Sequence, residues 1–136
     1  MELQVGVKVL LKNDEGKYLL IRRNPKKYPE VGPKWDIVGG RINPGSPLLE
    51  NLAREVKEET GLELVGAPKI IGAQDIFTPK FPDRHVVRIS YVGVAKGEPV
   101  IDEESLEWKW FSKEEIQALT PEELDRFFKE ILDQGI

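Results

Sequence analysis

The sequence predicts one mixed α/β domain, and three of its features lead to that prediction. With 136 residues the chain has the length of one domain and can bury a hydrophobic core. A hydrophobic content of 40% with 32% charged residues is typical of a globular chain and not of a disordered one. Stretches with the two-residue alternation of strands are interleaved with stretches of helical periodicity, with no internal repeat or linker between them.

The chain begins with a predicted β-hairpin. Valine occupies alternate positions in the first part of residues 3–12, which predicts a strand there. Residues 13–16 have the composition of a turn, and residues 17–23 are predicted to form a second strand. The two strands are expected to pair with each other across that turn.

A loop and a short strand follow the hairpin. Residues 24–34 contain three prolines and are predicted to form a loop. Residues 35–38 form a short apolar strand that runs directly into Gly39 and Gly40. Because glycine has no Cβ, this pair would let backbone carbonyls approach a ligand or an ion closely.

A helix is predicted to begin at Ser46 and Pro47 and to end at Gly61. Serine at the N-cap with proline at the first helical position is a typical start, and glycine is a typical stop. Glu50 and Arg54 are four residues apart and are expected to pair on the helix surface. The positions expected to pack on the sheet recur at helical spacing and are Leu49, Leu52, Ala53, Val56 and Thr60.

The second half of the chain is predicted to supply the remaining strands. Residues 62–78 are strand-like but interrupted near Gly66, and residues 78–84, which contain two prolines, are predicted to form a loop. Further strands are predicted over residues 85–96 and 106–111.

Two capping boxes predict two closing helices. Ser112 with Glu115, and Thr120 with Glu123, have the spacing at which each side chain accepts a hydrogen bond from the other residue's backbone N–H. Each pair is therefore expected to open a helix. The final helix has an apolar stripe formed by Leu124, Phe127, Phe128, Ile131 and Leu132.

Composition excludes several classes of protein. A formal net charge of −4 provides no general attraction for nucleic acid or an anionic membrane, so no long nucleic acid partner is expected. The absence of cysteine excludes thiolate chemistry, and a single histidine, His85, excludes a zinc site built from several histidines. No signal peptide is recognisable, and no apolar run approaches the ~20 residues of a membrane span. A cytoplasmic protein is therefore expected.

Three glutamates are the strongest indication of a functional site in this sequence. Glu55, Glu58 and Glu59 occupy positions i, i+3 and i+4 of the predicted helix and so share one side of it. Their mutual repulsion favours a partner that neutralises them, and Mg²⁺ is a natural one because it takes oxygen ligands and few protein groups. The alternative, a solvated acidic surface with no ligand, leaves the Gly39-Gly40 pair unexplained.

The residues around these glutamates resemble a known family motif. The pattern Gly40-x5-Ser46-x7-Arg54-Glu55-Val56-x-Glu58-Glu59-x-Gly61-Leu62 closely resembles the Nudix box, G-x5-E-x7-R-E-U-x-E-E-x-G-U, in which U is aliphatic. Every fixed position matches except Ser46, where the family usually has glutamate. Looser similarity at residues 20–23, 35–40 and 107–111 extends the resemblance over nearly the whole chain. Residues 1–136 are therefore expected to form one Nudix domain, with the box at residues 40–62.

The resemblance implies a fold, a reaction and a metal. The fold is an α/β/α sandwich with a mixed central sheet, in which the box forms a loop–helix–loop. The reaction is hydrolysis of a nucleoside diphosphate linked to another group, with Mg²⁺ or Mn²⁺ as cofactor. Glu55, Glu59 and the carbonyl of Gly39 are the leading metal ligands. Glu58 is a further ligand or the general base, and the resemblance leaves open an exchange of these roles among the three glutamates.

The resemblance also assigns supporting residues. Arg54 resembles the family's structural arginine, which braces the catalytic loop by ion pairing. The usual glutamate at the position of Ser46 mainly pairs with that arginine, so Glu50 is expected to take its place as the partner. The family also recruits a base or further ligand from outside the box, for which the candidates are Glu103, Glu104 and Glu107.

Several residues are candidates for substrate contacts, each with an alternative role in the core or at the rim of the site. Gly40 is expected to lie against the substrate. The candidates for phosphate contacts are Arg22, Arg23, Lys26, Arg84 and Arg88. The rings that could stack on a base are Tyr28, Phe77, Phe81 and Tyr91.

Two functions from different classes are open at this point. The first is hydrolysis of a nucleoside triphosphate, including an oxidised one, or of a nucleotide sugar such as ADP-ribose. The second is a non-catalytic nucleotide-binding regulatory module. The intact set of three carboxylates favours the hydrolase, because a binding module need not keep all three. Homodimers are common in the family, and no residue of this sequence specifies an interface.

Overall fold

The computed structural model describes residues 1–27 and 34–135. Within these residues the chain forms seven strands and three helices. In chain order they are β1 (Glu2–Lys12), β2 (Tyr18–Arg23), β3 (Trp35–Asp36), β4 (Val38–Arg41), α1 (Leu48–Thr60), β5 (Glu63–Thr78), β6 (Phe81–Lys96), β7 (Ser105–Phe111), α2 (Lys113–Gln117) and α3 (Arg126–Asp133). None of these helices is long and apolar enough to cross a membrane.

The strands form one mixed sheet, as the family resemblance implied. Its order is β3-β2-β1-β6-β5, with β4 paired to β1 and β7 paired to β2. The pairing of β1 with β6 is parallel and extends along the whole of β1, whereas the other pairings are antiparallel. The long central β1 therefore organises the sheet.

Residues of β1 alternate between two hydrophobic clusters, one on each face of the sheet. Val7 and Val9 pack with Leu52 and Val56 of α1. Leu10 packs on the other face in the cluster that contains Ile116, Leu124 and Phe128 of the carboxyl-terminal region. Because successive side chains of a strand point to opposite faces, helices cover both sides, and the predicted α/β/α arrangement is confirmed.

The predicted hairpin of β1 and β2 is confirmed but short. The two strands pair only at Leu11 with Leu19 and at Lys12 with Tyr18. Nearer its beginning, β1 pairs with β4 instead, from Gly6 opposite Arg41. One edge of β1 thus changes partner along its length, which places Gly39 and Gly40 in the sheet.

The predicted start of α1 is wrong. The helix begins at Leu48, and its N-cap is Pro47, with no side-chain hydrogen bond to the cap. The predicted end is confirmed: Gly61 has φ +71° and donates its N–H to the Lys57 carbonyl. A left-handed conformation of this kind favours glycine.

The buried side of α1 is rotated relative to the predicted one. Leu52, Val56 and Thr60 are buried as expected, but Leu49 and Ala53 are exposed. Polar residues take part instead, because Asn51 and Glu59 are buried on this side of the helix. Both side chains have hydrogen-bond partners there, which makes their burial tolerable.

The predicted loop over residues 78–84 is also wrong. Thr78 of β5 pairs with Phe81 of β6, so the connection is only Pro79 and Lys80. The predicted interruption near Gly66 exists as a register shift between Val65 and Lys69 rather than as a break in the strand. Long antiparallel pairing on both sides of these irregularities keeps β5 continuous.

One of the two predicted capping boxes opens a helix. Ser112 and Glu115 exchange the expected hydrogen bonds at the start of α2. After Thr120 the helix is delayed until Arg126, and Asp125 is the N-cap. The reason is tertiary: Trp35 exchanges backbone hydrogen bonds of 2.8 Å with the Glu123 carbonyl and the Asp125 N–H, which holds that segment out of a helical conformation.

Candidate active site

Glu59 is the buried member of the three glutamates. Its side chain is 4% exposed and lies between α1, β2 and β4. One carboxylate oxygen, Oε2, accepts a hydrogen bond of 3.0 Å from the N–H of Gly39. The other, Oε1, accepts one of 2.9 Å from Nη1 of Arg23. Glu59 is not among the positions that were expected to pack on the sheet, yet it is buried there.

The surroundings of Glu59 change its protonation. Burial raises the pKa of this carboxyl to about 7; the charges of Arg23 and Lys8 oppose that shift, and the charge of Glu55 adds to it. Removing a carboxylate from water disfavours its charged form, and here the two cations do not fully compensate. Additional positive charge at this position would therefore be bound favourably.

Neither position of the glycine pair leaves room for a side chain. A Cβ on Gly39, whose φ is +147°, would lie 2.0 Å from the backbone carbonyl oxygen of Val7, so no side chain fits there. A Cβ on Gly40 would lie 2.8 Å from Oε2 of Glu55 and would push that carboxylate away. Gly40 therefore lies directly against Glu55, and the approach of the glycine carbonyls to a ligand or an ion stays a prediction.

Arg54 connects the remaining two glutamates. Its Nη1 is 3.2 Å from Oε1 of Glu55 and 3.2 Å from Oε2 of Glu58. The Glu55 side chain is 15% exposed and the Glu58 side chain is 56% exposed, so the three carboxylates form a gradient from buried to open. The name glutamate cluster is used below for Arg23, Arg54, Glu55, Glu58 and Glu59.

The partner expected for Arg54 is wrong. Glu50 is exposed, and within the described residues Arg54 pairs with Glu55 and Glu58 rather than with Glu50. The further partner of Arg54 is Asn51, whose Oδ1 lies 3.0 Å from Nη2. The sequence contained a signal for this residue: an asparagine three positions before Arg54, adjacent to the buried Leu52.

The oxygen atoms of the glutamate cluster suit a hard cation. Three carboxylates and the Gly39 carbonyl are the kind of ligands that Mg²⁺ and Mn²⁺ take. Within residues 1–27 and 34–135, no three Asp, Glu or His side chains converge on one point. Arg23 explains part of this, because it bonds to Glu59 while its Nη2 lies 3.4 Å from the Gly39 carbonyl.

Arg22 lies on the opposite face of β2 from Arg23. It forms an ion pair with Glu107 and lies over the ring of Trp35, 5.5 Å from the centroid. Neither Arg22 nor Glu107 is therefore brought to the glutamate cluster. Glu104 precedes β7 in the chain and lies beside the end of β2, because its backbone carbonyl accepts a hydrogen bond of 2.9 Å from the backbone N–H of Asn24.

Arg88 is buried on the face of the sheet covered by α3 and is not available to a substrate at the glutamates. It is 6% exposed, and its guanidinium lies 3.3 Å from Asp36 and 3.3 Å from Asp125. Lys8 completes this group at 3.2 Å from Asp36. These residues, Lys8, Asp36, Arg88 and Asp125, are called the balanced cluster below.

The candidate rings differ in their availability. Phe77 is 56% exposed and stacks on His85, with 4.6 Å between ring centroids. Phe81 is covered by the guanidinium of Arg84 at 4.1 Å, and Tyr91 is buried in the core. Tyr28 lies outside the described residues. His85 and Tyr91 are six residues apart on β6, so their side chains point to the same face of the sheet, and Tyr91 packs in the cluster beneath α1. Because Phe77 stacks on His85, it also lies on the face covered by α1.

A cavity of about 200 Å³ lies on the other side of the sheet. Its walls include Leu10, Ile116 and Leu124 of the core cluster beneath α2 and α3. It contains none of the glutamates, so the cavity and the candidate chemistry are separate.

The chain is similar to known proteins over most of its length. A sequence model of the NUDIX domain matches residues 2–133. A Bacillus subtilis (strain 168) protein named "Putative 8-oxo-dGTP diphosphatase" is 32% identical over 108 residues, which are 79% of this chain and 65% of that protein. An "RNA pyrophosphohydrolase" of Bartonella bacilliformis is 34% identical over 94 residues, or 65% of this chain and 54% of that protein. The chain therefore spans less than two thirds of the length of these relatives.

A solved structure supports the same relationship. The crystal structure of a MutT protein from Methanosarcina mazei Go1 matches with a TM-score of 0.78 and 29% identity, over 97% of this chain and 91% of that chain. Agreement over nearly the full length of both chains extends the similarity beyond the motif of residues 40–62.

Proposed function

The chain belongs to the Nudix family, and from that premise we propose that it hydrolyses a diphosphate linkage in a nucleoside diphosphate-X substrate with Mg²⁺ or Mn²⁺. The observation that carries the proposal is the contact of α1 with the glycine pair, where Glu59 bonds to Gly39 and Glu55 lies against Gly40. Two enclosed carboxylates held against the backbone of the glycine pair are a suitable environment for a divalent cation.

The residues that would hold the metal are Glu55, Glu59 and the Gly39 carbonyl, with Glu58 as a further ligand. The raised pKa of Glu59 is consistent with this assignment, because Arg23 and Lys8 compensate its negative charge only in part. When bound, the cation neutralises charge on the phosphoryl oxygens and makes water easier to deprotonate.

Arg23 would act as an exchangeable partner. It contacts both Glu59 and the Gly39 carbonyl, two of the groups assigned to the metal. With those two groups given to a cation, the Arg23 guanidinium would instead bind the oxygens of the substrate's phosphates. A planar guanidinium is well suited to bidentate recognition of phosphate.

Glu58 is the better placed of the glutamates to accept a proton from water. Its side chain is 56% exposed, whereas Glu55 and Glu59 are largely enclosed. Arg54 holds the Glu58 carboxylate at 3.2 Å and so fixes its direction relative to Glu55. Attack on a phosphoryl group depends on this kind of positioning more than on covalent chemistry by the protein.

A substrate panel with Mg²⁺ tests the proposal. It contains 8-oxo-dGTP and 5′-triphosphorylated RNA, which the names of the two relatives suggest, together with ADP-ribose and ordinary nucleoside triphosphates. The panel is run with the wild-type protein, with Glu59→Gln, and with Glu50→Gln as an exposed control on the same helix. We expect Glu59→Gln to lower kcat/KM at least about 100-fold and Glu50→Gln to leave it within about twofold.

Two results would contradict the proposal. Turnover by Glu59→Gln at the wild-type rate would exclude the assigned metal ligand. Binding of nucleotide without phosphate or pyrophosphate release from any member of the panel would instead indicate the regulatory module considered from the sequence.

A further inference from the structure

Asn51 is a fully buried polar side chain that the proposed reaction does not use. It lies in the first half of α1 with an exposed fraction of 0%. A buried amide has two donor hydrogens and two acceptor positions to satisfy, so its partners determine whether it costs or contributes stability. Those partners connect the loop before α1 with Arg54, which contacts the carboxylates assigned to the reaction.

Every hydrogen-bonding position of the Asn51 amide has a partner. Its Nδ2 donates to the carbonyls of Ser46 and Pro47, at 3.0 Å and 2.9 Å. Its Oδ1 accepts from the backbone N–H of Asn43 and from Nη2 of Arg54, both at 3.0 Å. The amide thus joins the loop before α1 to the arginine that contacts Glu55 and Glu58.

This arrangement requires an amide. Two carbonyl oxygens face one end of the side chain and two N–H donors face the other, so a rotated amide would place like groups together at both ends. Aspartate could still accept from Asn43 and Arg54, but its second oxygen would oppose the Ser46 and Pro47 carbonyls. An apolar residue of the same size would remove all four bonds. The Pro47 carbonyl would keep the backbone N–H of residue 51, and Arg54 would keep its two carboxylates, but the Asn43 N–H and the Ser46 carbonyl would lose these partners.

We propose that Asn51 is a positioning residue that takes over, in this chain, the brace that Nudix proteins usually obtain from glutamate at the position of Ser46. It holds the residue 43–47 loop against α1, and it orients Arg54 and through it the carboxylates of Glu55 and Glu58. Glu50 has no part in the brace. Only one part of this proposal rests on the proposed function, namely the assignment of the Glu55 and Glu58 carboxylates to the metal.

Restoring the usual glutamate gives a direct test. Thermal unfolding of the metal-free protein is measured for Asn51→Ala, Ser46→Glu, the double variant and the exposed control Glu50→Ala. We expect Asn51→Ala to lower Tm by about 5 °C or more and Glu50→Ala to change it by less than about 2 °C. Ser46→Glu should raise Tm in the Asn51→Ala background and have little effect or a negative one in the wild-type background, because Asn51 already occupies Arg54 there.

Two further measurements separate positioning from general stability. In the wild-type protein the Asn43 amide should be protected from hydrogen exchange. Asn51→Ala should lose that protection because the acceptor is removed, and Asn51→Asp should stay within about threefold of wild type because an acceptor oxygen is retained. Mn²⁺ binding, measured without substrate, should weaken about 10-fold in Asn51→Ala. Leu10→Ala, a core variant on the other face, should lower Tm without this loss of Mn²⁺ affinity.

Each outcome decides the proposal. Equal Tm values for Asn51→Ala and Glu50→Ala, absence of any gain from Ser46→Glu in the Asn51→Ala background, or equal Mn²⁺ affinity in Asn51→Ala and Leu10→Ala would overturn it. The unfolding and exchange measurements use no metal or substrate, so they remain valid even if no member of the substrate panel is hydrolysed.

Discussion

The glutamate cluster and the balanced cluster lie on opposite faces of the same sheet and differ in their charge balance. The glutamate cluster contains three carboxylates and two guanidinium groups. The balanced cluster contains two carboxylates and two cations, with Arg88 between Asp36 and Asp125 and Lys8 beside Asp36. Both are built from paired ions, but only the first has an excess of negative charge.

The pKa values of Glu59 and Asp36 follow this difference, whereas burial and the charge of Asp36 raise the pKa of Asp125 in the balanced cluster. Burial raises the pKa of Glu59 to about 7 despite Arg23. Burial would also raise the pKa of Asp36, but the charges of Lys8 and Arg88 outweigh it and hold that pKa below its ordinary value. Similar groups can therefore serve different purposes: the balanced cluster is suited to stabilising the fold, and the glutamate cluster is suited to binding a cation.

Removal of the central cation from the balanced cluster should have the largest effect on stability. Arg88→Met would leave Asp36 and Asp125 buried without that partner, and we expect a loss of about 3–5 kcal/mol in the free energy of unfolding. Urea unfolding with and without Mg²⁺ measures it. Because no assigned metal ligand is involved, Mg²⁺ should not restore the loss; recovery with Mg²⁺ would contradict the division of roles.

The pH dependence of stability should differ in sign between Glu59 and Asp36. Glu59 has a folded pKa of about 7 and an ordinary value of 4.5, so its contribution in the metal-free protein is most favourable below 4.5 and is lost as pH rises through 7, by up to about 3 kcal/mol. Asp36, whose folded pKa is lowered, contributes stability above its ordinary value of 3.8 and loses it as pH falls below that.

Urea unfolding between pH 5 and 8 measures the Glu59 contribution. Glu59→Gln should make the stability of the metal-free protein less dependent on pH over that range, whereas Glu50→Gln should not. An unchanged pH profile in Glu59→Gln would show that another group is responsible.

Removal of the cation from the glutamate cluster should cost less and should be compensated by metal. In Arg23→Met, Glu59 loses its ion pair of 2.9 Å but can become protonated near neutral pH, so we expect a loss of about 1–2 kcal/mol at pH 7. Saturating Mg²⁺ should stabilise Arg23→Met more than it stabilises the wild-type protein. Equal stabilisation of the two proteins would be inconsistent with Arg23 and the metal sharing ligands.

The smallest effect is expected for Arg22, which belongs to neither cluster. Its ion pair with Glu107 is on a partly exposed surface, so Arg22→Ala should change the free energy of unfolding by less than about 1 kcal/mol. Its kcat/KM with the best substrate of the panel should remain within about twofold of wild type. A large fall in kcat/KM would instead indicate that Arg22 contacts the substrate.

The features that were predictable from the sequence depend on short-range geometry. The three glutamates share one side of α1 because their spacing matches the helical repeat, and Gly61 ends the helix because it adopts φ +71°. Ser112 and Glu115 cap α2 as their spacing predicts. The family itself was recognisable because its motif lies within residues 40–62.

The errors arose where a distant segment decided the outcome. The box of Thr120 and Glu123 does not open a helix, because Trp35 bonds to the backbone at Glu123 and Asp125. Asn51 was overlooked although Arg54 is only three residues away, since its importance depends on how the residue 43–47 loop folds back onto it.

The sequence by itself determined the helix, the glycine pair and the order of the carboxylates along α1, because each depends on residues within a few turns of one another. Only the tertiary structure decided which cation meets which carboxylate. Arg23 reaches Glu59 across 36 residues of sequence, and Arg88 reaches Asp36 across 52. Alternation along a strand assigns a side chain to a face of the sheet, but the packing of helices on that face determines its partners. For that reason the sequence placed Arg23 and Arg88 in one list of phosphate-binding candidates, and the fold separated them onto opposite sides of the sheet.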